Sequence, residues 1–363
     1  AQAILALAVP KYGVQMEVEE FPTAQEACLN EQEKHRLPFS TTLPPLFDVS
    51  SDDRTQSALT KPKIAYAAQI EQVGLRGFLQ HVYEQGEAFS TLSLAENAIG
   101  DAGAQILADI MCENTCLRRL NLHDTGLGCA GLDKVGGLLQ TCPQIETLVL
   151  SANPLDATSL LPDAFCTAIG EAPSLRSLQL SSCGLTEVAI RPLCEALCRR
   201  IRSALPPLER LTLSRNRLTG VPAAQLCGIL AASGAVVGLD LTANNFGPAG
   251  GEAIAQRLLG VASCRLLRLS VDTNGLELRG CRAMVRLWNN PAGPCLDHLD
   301  IRENGLTEAN CKELARMLGR ELEPVLHFES GRRVMLSWHD GRQGVMSRKV
   351  HGGHAPMNVY WHD

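Results

Sequence analysis

The chain has 363 residues, room for two ordinary domains or one elongated repeat domain. Hydrophobic residues make up 45% and aromatics only 4%, so any large core must be aliphatic. A net charge of −6 disfavours a general nucleic-acid binder, which needs a basic face, and no apolar run is long enough to span a membrane.

The 14 cysteines sit singly inside apolar runs, as Cys194 and Cys198 do in RPLCEALCRR, and no CxxC pair occurs. That usage fits cysteine as a small apolar residue in a reducing, cytoplasmic setting, not a disulfide framework or a zinc or redox motif.

Residues 1–62 read as an extended N-terminal arm. The opening AQAILALAV is apolar but short, and no basic segment precedes it, so a secretory signal is not expected. In TAQEACLNEQEKHR, Thr23 and Glu26 occupy capping-box positions, which predicts a short helix. The following stretch, rich in Pro, Ser, Thr and Asp, predicts an extended linker. Residues 63–88 carry apolar residues at helical spacing and predict a helical cap of one or two helices, interrupted near Gly74 or Gly77.

From residue 89 the pattern becomes periodic. LERLTLSRNRL, starting at Leu208, spaces its leucines by neither the 3.6 period of a helix nor the alternation of a two-faced strand. The same L-x-x-L-x-L-x-x-N-x-L pattern starts at Phe89, Leu117, Ile145, Leu175, Leu208, Val236, Leu266 and Leu296. Eight matches at nearly constant period identify a repeat architecture. The period of about 28 to 30 residues, with a helical half in each unit such as GDAGAQILADIMCEN, resembles leucine-rich repeats of the ribonuclease-inhibitor type. In that helical half Asp101 is the expected N-cap.

The resemblance covers roughly residues 89–320 and implies an α/β fold: a leucine-rich repeat solenoid, or horseshoe, of about eight βα units over residues 89–322. Each unit contributes a short strand whose leucines point inward and a helix on the convex side. The Asn position would sit at a turn and satisfy buried backbone groups; it reads Asn97, Thr125, Asn153, Cys183, Asn216, Asn244, Asn274 and Asn304. Thr125 and Cys183 depart from Asn but are small and can still donate a hydrogen bond.

Residues 323–363 predict a small β-rich C-terminal cap. RRVMLSWHDGRQGVMSRKV reads as a hairpin with Asp340 and Gly341 in its turn, and MNVYWHD could add a third strand.

Chemistry is sparse. There is no phosphate loop, nucleophile elbow or HExxH. HGGH, from His351 to His354, lacks a cysteine or carboxylate to complete a metal set, and HDTG, from His123 to Gly126, is explained by its place in a repeat. CRRIR, from Cys198 to Arg202, reads as the solvated positive end of a helix. No catalytic residue, metal, cofactor, nucleic acid, membrane or small-molecule substrate is expected.

In such a solenoid the candidate surface is the concave sheet, which predicts protein binding at Arg119, His123, Asp124, Gln179, Arg210, Arg215, Asp240, Arg268, Asp272, His298, Asp300, Arg302 and Glu303. Its middle, including Thr147, Val149, Ser177 and Ser181, is small and neutral, and its C-terminal part carries both signs of charge. The function expected is a non-enzymatic protein-interaction scaffold. Similar repeats occur in subunits of large assemblies, flagellar axonemal complexes among them, so a cytoskeletal setting is one implication. The alternative is a small-GTPase regulator resembling Ran GTPase-activating proteins, with Arg215 as the candidate loop arginine.

Overall fold

The structure is a computed structural model that describes residues 63–64, 72–84, 89–111, 116–155, 160–259, 261, 264–327 and 332–338. The predicted N-terminal arm and its helix, the Asp340–Gly341 turn, MNVYWHD and HGGH lie outside the described residues.

Strand and helix alternate along the chain. Strands β1 (Lys63–Ile64), β2 (Thr91–Ser93), β3 (Arg119–Asn121), β4 (Thr147–Val149) and β5 (Ser177–Gln179) are each followed by a helix. Those helices are α1 (Gln72–Glu84), α2 (Gly100–Met111), α3 (Cys129–Thr141), α4 (Asp163–Glu171) and α5 (Glu187–Arg202). The series continues with β6 (Leu208–Thr212), α6 (Gly220–Ala232), β7 (Val236–Asp240), α7 (Gly247–Leu258), β8 (Arg268–Ser270), α8 (Glu277–Asn289), β9 (His298–Asp300) and α9 (Glu308–Met317). Two further strands close it, β10 (Val325–His327) and β11 (Arg333–Met335).

All eleven strands form one sheet, and from β1 to β9 every neighbour is parallel and consecutive. The register is uniform. Leu92, Leu120, Leu148, Leu178, Leu211, Leu239, Leu269 and Leu299 stand opposite one another across the strands. All eight are fully buried, as are Leu208, Leu213 and Leu218, which answers the odd spacing in the fifth repeat. Each such side chain contributes about 1.5–3 kcal/mol by leaving water. No single unit could bury that face, and stacking makes it continuous.

Both ends depart from expectation. Lys63–Ile64 is a strand paired parallel with β2, not the start of a helix. Helix α1 runs unbroken through Gly74 and Gly77, because Leu75, Phe78 and Leu79 on one side of it are buried against the core. At the other end β11 inserts between β9 and β10. Val334 takes the next place in the leucine row, opposite Leu299, and Leu336 is buried as the second strand leucine of a unit would be. The antiparallel partner of β11 is the preceding β10, so the described hairpin lies upstream of the predicted one.

The turn after each strand is the most regular feature. Glu96, Asp124, Ala152, Ser182, Arg215, Ala243, Thr273 and Glu303 all have positive φ, between 48° and 61°, though none is glycine. That conformation costs an ordinary residue about 1–2 kcal/mol. It is offset because each N–H donates across to the next unit: Glu96 to the His123 carbonyl at 2.8 Å, Arg215 to that of Thr242 at 2.8 Å, and so on. In the last unit Glu303 donates instead to the Ser337 hydroxyl at 2.6 Å.

The residue after each positive-φ position is the ladder residue. Asn153 Nδ2 donates to the carbonyls of Leu150 and Leu122, its own strand and the one before, while its Oδ1 accepts from the N–H groups of Thr125 and Leu127. Asn216 and Asn304 repeat both halves of this arrangement. Asn97 donates to Leu94 and Ala95, Asn244 to Leu213 and Leu241, and Asn274 to Leu241 and Asp272. Thr125 substitutes through its hydroxyl, donating to Leu122 at 2.9 Å, and Cys183 through its thiol, donating to Leu150 at 3.4 Å.

Asp101 corrects a local expectation. Its carboxylate Oδ1 accepts from the N–H groups of Gly128 and Gly131, at 2.7 and 2.9 Å. Those groups open α3, so Asp101 caps the helix of the next unit.

Candidate protein-binding site

Strands pair about 4.8 Å apart, whereas helices cannot pack closer than about 8–10 Å. A repeated βα unit must therefore bend with the sheet inside. Side chains that alternate with the strand leucines face that inner, concave side. They fall into rows that cross the strands. One row is Thr91, Arg119, Thr147, Ser177, Arg210, Gly238, Arg268, His298 and Arg333. The next runs from Ser93 through Gln179 and Asp240 to Asp300 and Met335.

The predicted site residues divide by burial. Asp124, Arg215, Arg268, Arg302 and Glu303 are exposed. Arg119, His123, Gln179, Arg210 and Asp272 are half-buried. Asp240, His298 and Asp300 are not exposed at all, at 1%, 4% and 4%. On the inside of a curve each central residue is covered by neighbours on both adjoining strands, and Val149, Ser151, Ser181 and Thr212 are buried for the same reason.

Two of these buried groups have arginine partners. The guanidinium of Arg302 forks onto Asp300, Nε to Oδ1 at 3.0 Å and Nη2 to Oδ2 at 2.7 Å. Arg333 Nε donates to His298 Nδ1 at 2.9 Å, which requires a neutral imidazole with its proton on Nε2. Burial, reinforced by Arg333, pulls the His298 pKa down to about 4. Burial pushes Asp272 up to about 6, with Asp300 and Glu303 adding to it and the Thr273 hydroxyl and Arg302 opposing. Asp240 is also raised, mainly by burial. Its Oδ1 accepts from the Thr242 N–H at 2.9 Å, and its Oδ2 has no partner among the described residues.

On the floor Asp300 is thus matched by Arg302 and His298 is held neutral, whereas Asp240 has no cation of its own, and the exposed charge lies at the rim. Asp124, Arg215 and Glu303 stand there because the positive-φ turn lifts the chain out of the sheet. Their position follows from the repeat pattern. The burial of Asp240, His298 and Asp300 does not, because it depends on curvature and on strands far away in sequence.

Thr125 of HDTG is buried and bonded to Leu122 and Asn153. Burial lifts the thiols of Cys183 and Cys227 to about 12, far from a reactive thiolate. Among the described residues no group of three or more His, Cys, Asp or Glu could hold a metal ion, and no helix is long and apolar enough to cross a membrane.

The leucine-rich repeat family model matches residues 89–108 and 238–255. The ribonuclease inhibitor of Mus musculus is 27% identical over 269 residues, covering 67% of this chain and 57% of that protein. That of Sus scrofa is 29% identical over 284 residues, covering 78% and 59%. The chain therefore spans less than two thirds of either inhibitor. The NACHT, LRR and PYD domains-containing protein 3 of Rattus norvegicus is 27% identical over 271 residues, 73% of this chain and 23% of its own length. Among solved structures, the crystal structure of PEPR1-AtPEP1 aligns with 68% of this chain and 28% of its own at 19% identity and a TM-score of 0.33, a likeness too loose to carry any inference. The repeat register and the side-chain ladder make the chain a leucine-rich repeat solenoid, and its sequence is similar to the two ribonuclease inhibitors over two thirds or more of its length.

Proposed function

We infer that this chain is a non-enzymatic scaffold that holds a partner protein on the strand face of its solenoid. The observation that carries this reading is the exposed group Arg215, Arg302 and Glu303 just past the strand ends, with the exposed Arg268 on β8 itself, around the buried, hydrogen-bonded Asp240 and Asp300. Charges fixed on a rigid base lose little entropy on binding, and both signs together favour specificity for a protein surface over a phosphate backbone. The partner is a protein met in the cytoplasm, and no cofactor, nucleic acid, membrane or small-molecule substrate enters the reading.

The test is charge reversal at Arg215, Arg268 and Arg302 to Glu. Partner binding falls by tenfold or more while the melting temperature stays close to wild type; rim charges contribute about 0.2–1 kcal/mol each when exposed, more at a desolvated interface.

Two of the relatives are ribonuclease inhibitors, which supports a second reading, inhibition of a ribonuclease. The neutral middle of the face weighs against it, since a basic ribonuclease would seek acidic contacts throughout. Pancreatic ribonuclease activity that is unchanged by an excess of this protein excludes it. The finer setting, a subunit of an axonemal assembly, rests on the likeness of the repeats to those of axonemal complexes and draws no support from the relatives named above. Nor does a Ran-type GTPase regulator, which requires Arg215 to reach a nucleotide. GTP turnover by a Ran-like GTPase that this chain fails to accelerate removes that alternative.

A further inference from the structure

Helices α5 and α6 are set apart by an open groove. Between neighbouring helices a glycine usually admits the next helix at close range. A Cβ on Gly131 would meet Asp101 of α2, one on Gly136 would meet Phe165 of α4, and one on Gly170 would meet Ala196 of α5. Gly228 faces Ile254 and Arg257 of α7, and Gly251 faces Gly280 of α8. No glycine of α5 or α6 meets the other of that pair. Helix α5 is the longest of the described helices, and the repeat it belongs to takes 33 residues. Between α5 and α6 lies an open groove of about 370 Å³ with Cys194, Cys198, Leu226 and Ile229 along its floor and Glu195, Arg199 and Arg202 at its edge.

The two walls are unlike the rest of the convex surface. Helix α6, GVPAAQLCGILAA, has no charged residue. Gln225 is its one polar side chain at the surface, and beside it Ile229 is 44% exposed and Leu226 only half-buried. On α8 two arginines are matched to acids of neighbouring helices, Arg279 to Glu252 and Arg282 to Glu313. Among the described residues no salt bridge joins Arg199 or Arg202 to a carboxylate, and α6 offers none. The third arginine of the run, Arg200, points inward and binds backbone carbonyls, so it leaves the other two side by side at the surface. With Glu195 as the sole acid, the edge is positive.

We propose that the groove between α5 and α6 docks an acidic amphipathic segment of a partner protein, its apolar side chains seated on Leu226 and Ile229 and its carboxylates on Arg199 and Arg202. An apolar floor selects the side chains of one helical stripe, and the unmatched arginines select the sign of the residues beside it. This surface lies on the opposite side of the solenoid from the strand face, so the proposal stands independently of the reading given above.

The test uses the full chain and a fluorescein-labelled helical peptide of about 18 residues, or five turns, with leucines at i, i+3, i+4 and i+7 and glutamates beside them. Its twin has lysine in place of glutamate. Fluorescence anisotropy should show saturable binding of the acidic peptide and binding of the lysine twin weaker by about tenfold, the effect of two exposed charge pairs. Ile229→Asp, at an exposed position, and the double variant R199E/R202E should each weaken the acidic peptide by about tenfold, and the double variant should reverse the preference between the twins. R215E/R302E, on the other side, should bind the acidic peptide as wild type does. Equal binding of the two peptides, no saturable binding of the acidic one, or an affinity untouched by both groove variants would overturn the proposal. So would binding to phosphatidylcholine vesicles that Ile229→Asp abolishes, because the groove would then be a lipid site.

Discussion

Arg200 donates through Nη1 to the carbonyl oxygen of Ala172 at 2.6 Å, tying the last turn of α5 to the residue that ends α4. The same guanidinium reaches Leu175 at 2.9 Å and, through Nε, Pro206 at 2.6 Å, while its side chain is 1% exposed. It fills the place where a helix C-terminus leaves carbonyls without donors, and the positive charge meets the negative end of the α4 dipole. Arg200→Met keeps the volume and removes every donor. It should cost about 3–5 kcal/mol, as breaking a buried charged network does, and should be seen as an earlier denaturant midpoint with an unchanged slope.

The ladder residues should not be equivalent. Asn153 serves two strands and two turn N–H groups at once, so Asn153→Ala leaves several buried polar groups unpaired. A loss of about 2–4 kcal/mol is expected. Cys183 makes only weak thiol bonds, to Leu150 and Ser181, and Cys183→Ala should cost about 1 kcal/mol. Urea unfolding of the two variants, in parallel, reads the difference; equal losses would show that the ladder acts by shape and not by hydrogen bonding.

Two groups on the concave face should give stability opposite dependences on pH. A histidine titrates near 6.5 when unfolded, but His298 holds off its proton until about 4. Its contribution is whole above about pH 6.5 and is lost as pH falls toward 4, because the unfolded chain binds the proton first. Asp272 ionises near 3.8 when unfolded and at about 6 in the fold, so its ionisation disfavours the fold increasingly from about pH 3.8 and fully above about pH 6. Asp272→Asn should therefore raise the melting temperature near pH 7.5 and leave it unchanged near pH 3.5. His298→Gln should flatten the acid-side decline between about pH 6.5 and 4. Melts across that range check both, and a His298→Gln variant with the wild-type slope would place the acid sensitivity elsewhere.

Leucine at steps of three, two and five was enough to read the solenoid, because each residue of the pattern has one job in every unit. Leu211 and Leu213 must face the core, and Asn216 must sit where the chain turns. What the pattern could not carry are relationships between units. Asp101 stands where a helix cap belongs, but its acceptors are spent on α3. Asp240, His298 and Asp300 alternate with leucines as exposed residues do, and only the curvature buries them. Val334 and Leu336 continue the repeat, but nothing local shows that β10 and β11 exchange order, since that is decided by which strand completes the leucine row of β9. The groove beside α6 was signalled twice in the sequence, by the 33-residue step and by a helix without charge, and each sign has an ordinary explanation when taken alone.

The most direct test of the account is quantitative affinity purification from the native cell with three tagged chains: wild type, Arg215→Glu with Arg268→Glu and Arg302→Glu, and Ile229→Asp. If the strand face holds the principal partner, a defined set of proteins recovered with wild type should be lost from the triple variant and kept, at least in part, by Ile229→Asp. Recovery of the same set by the triple variant, with its melting temperature intact, would contradict the concave-face reading.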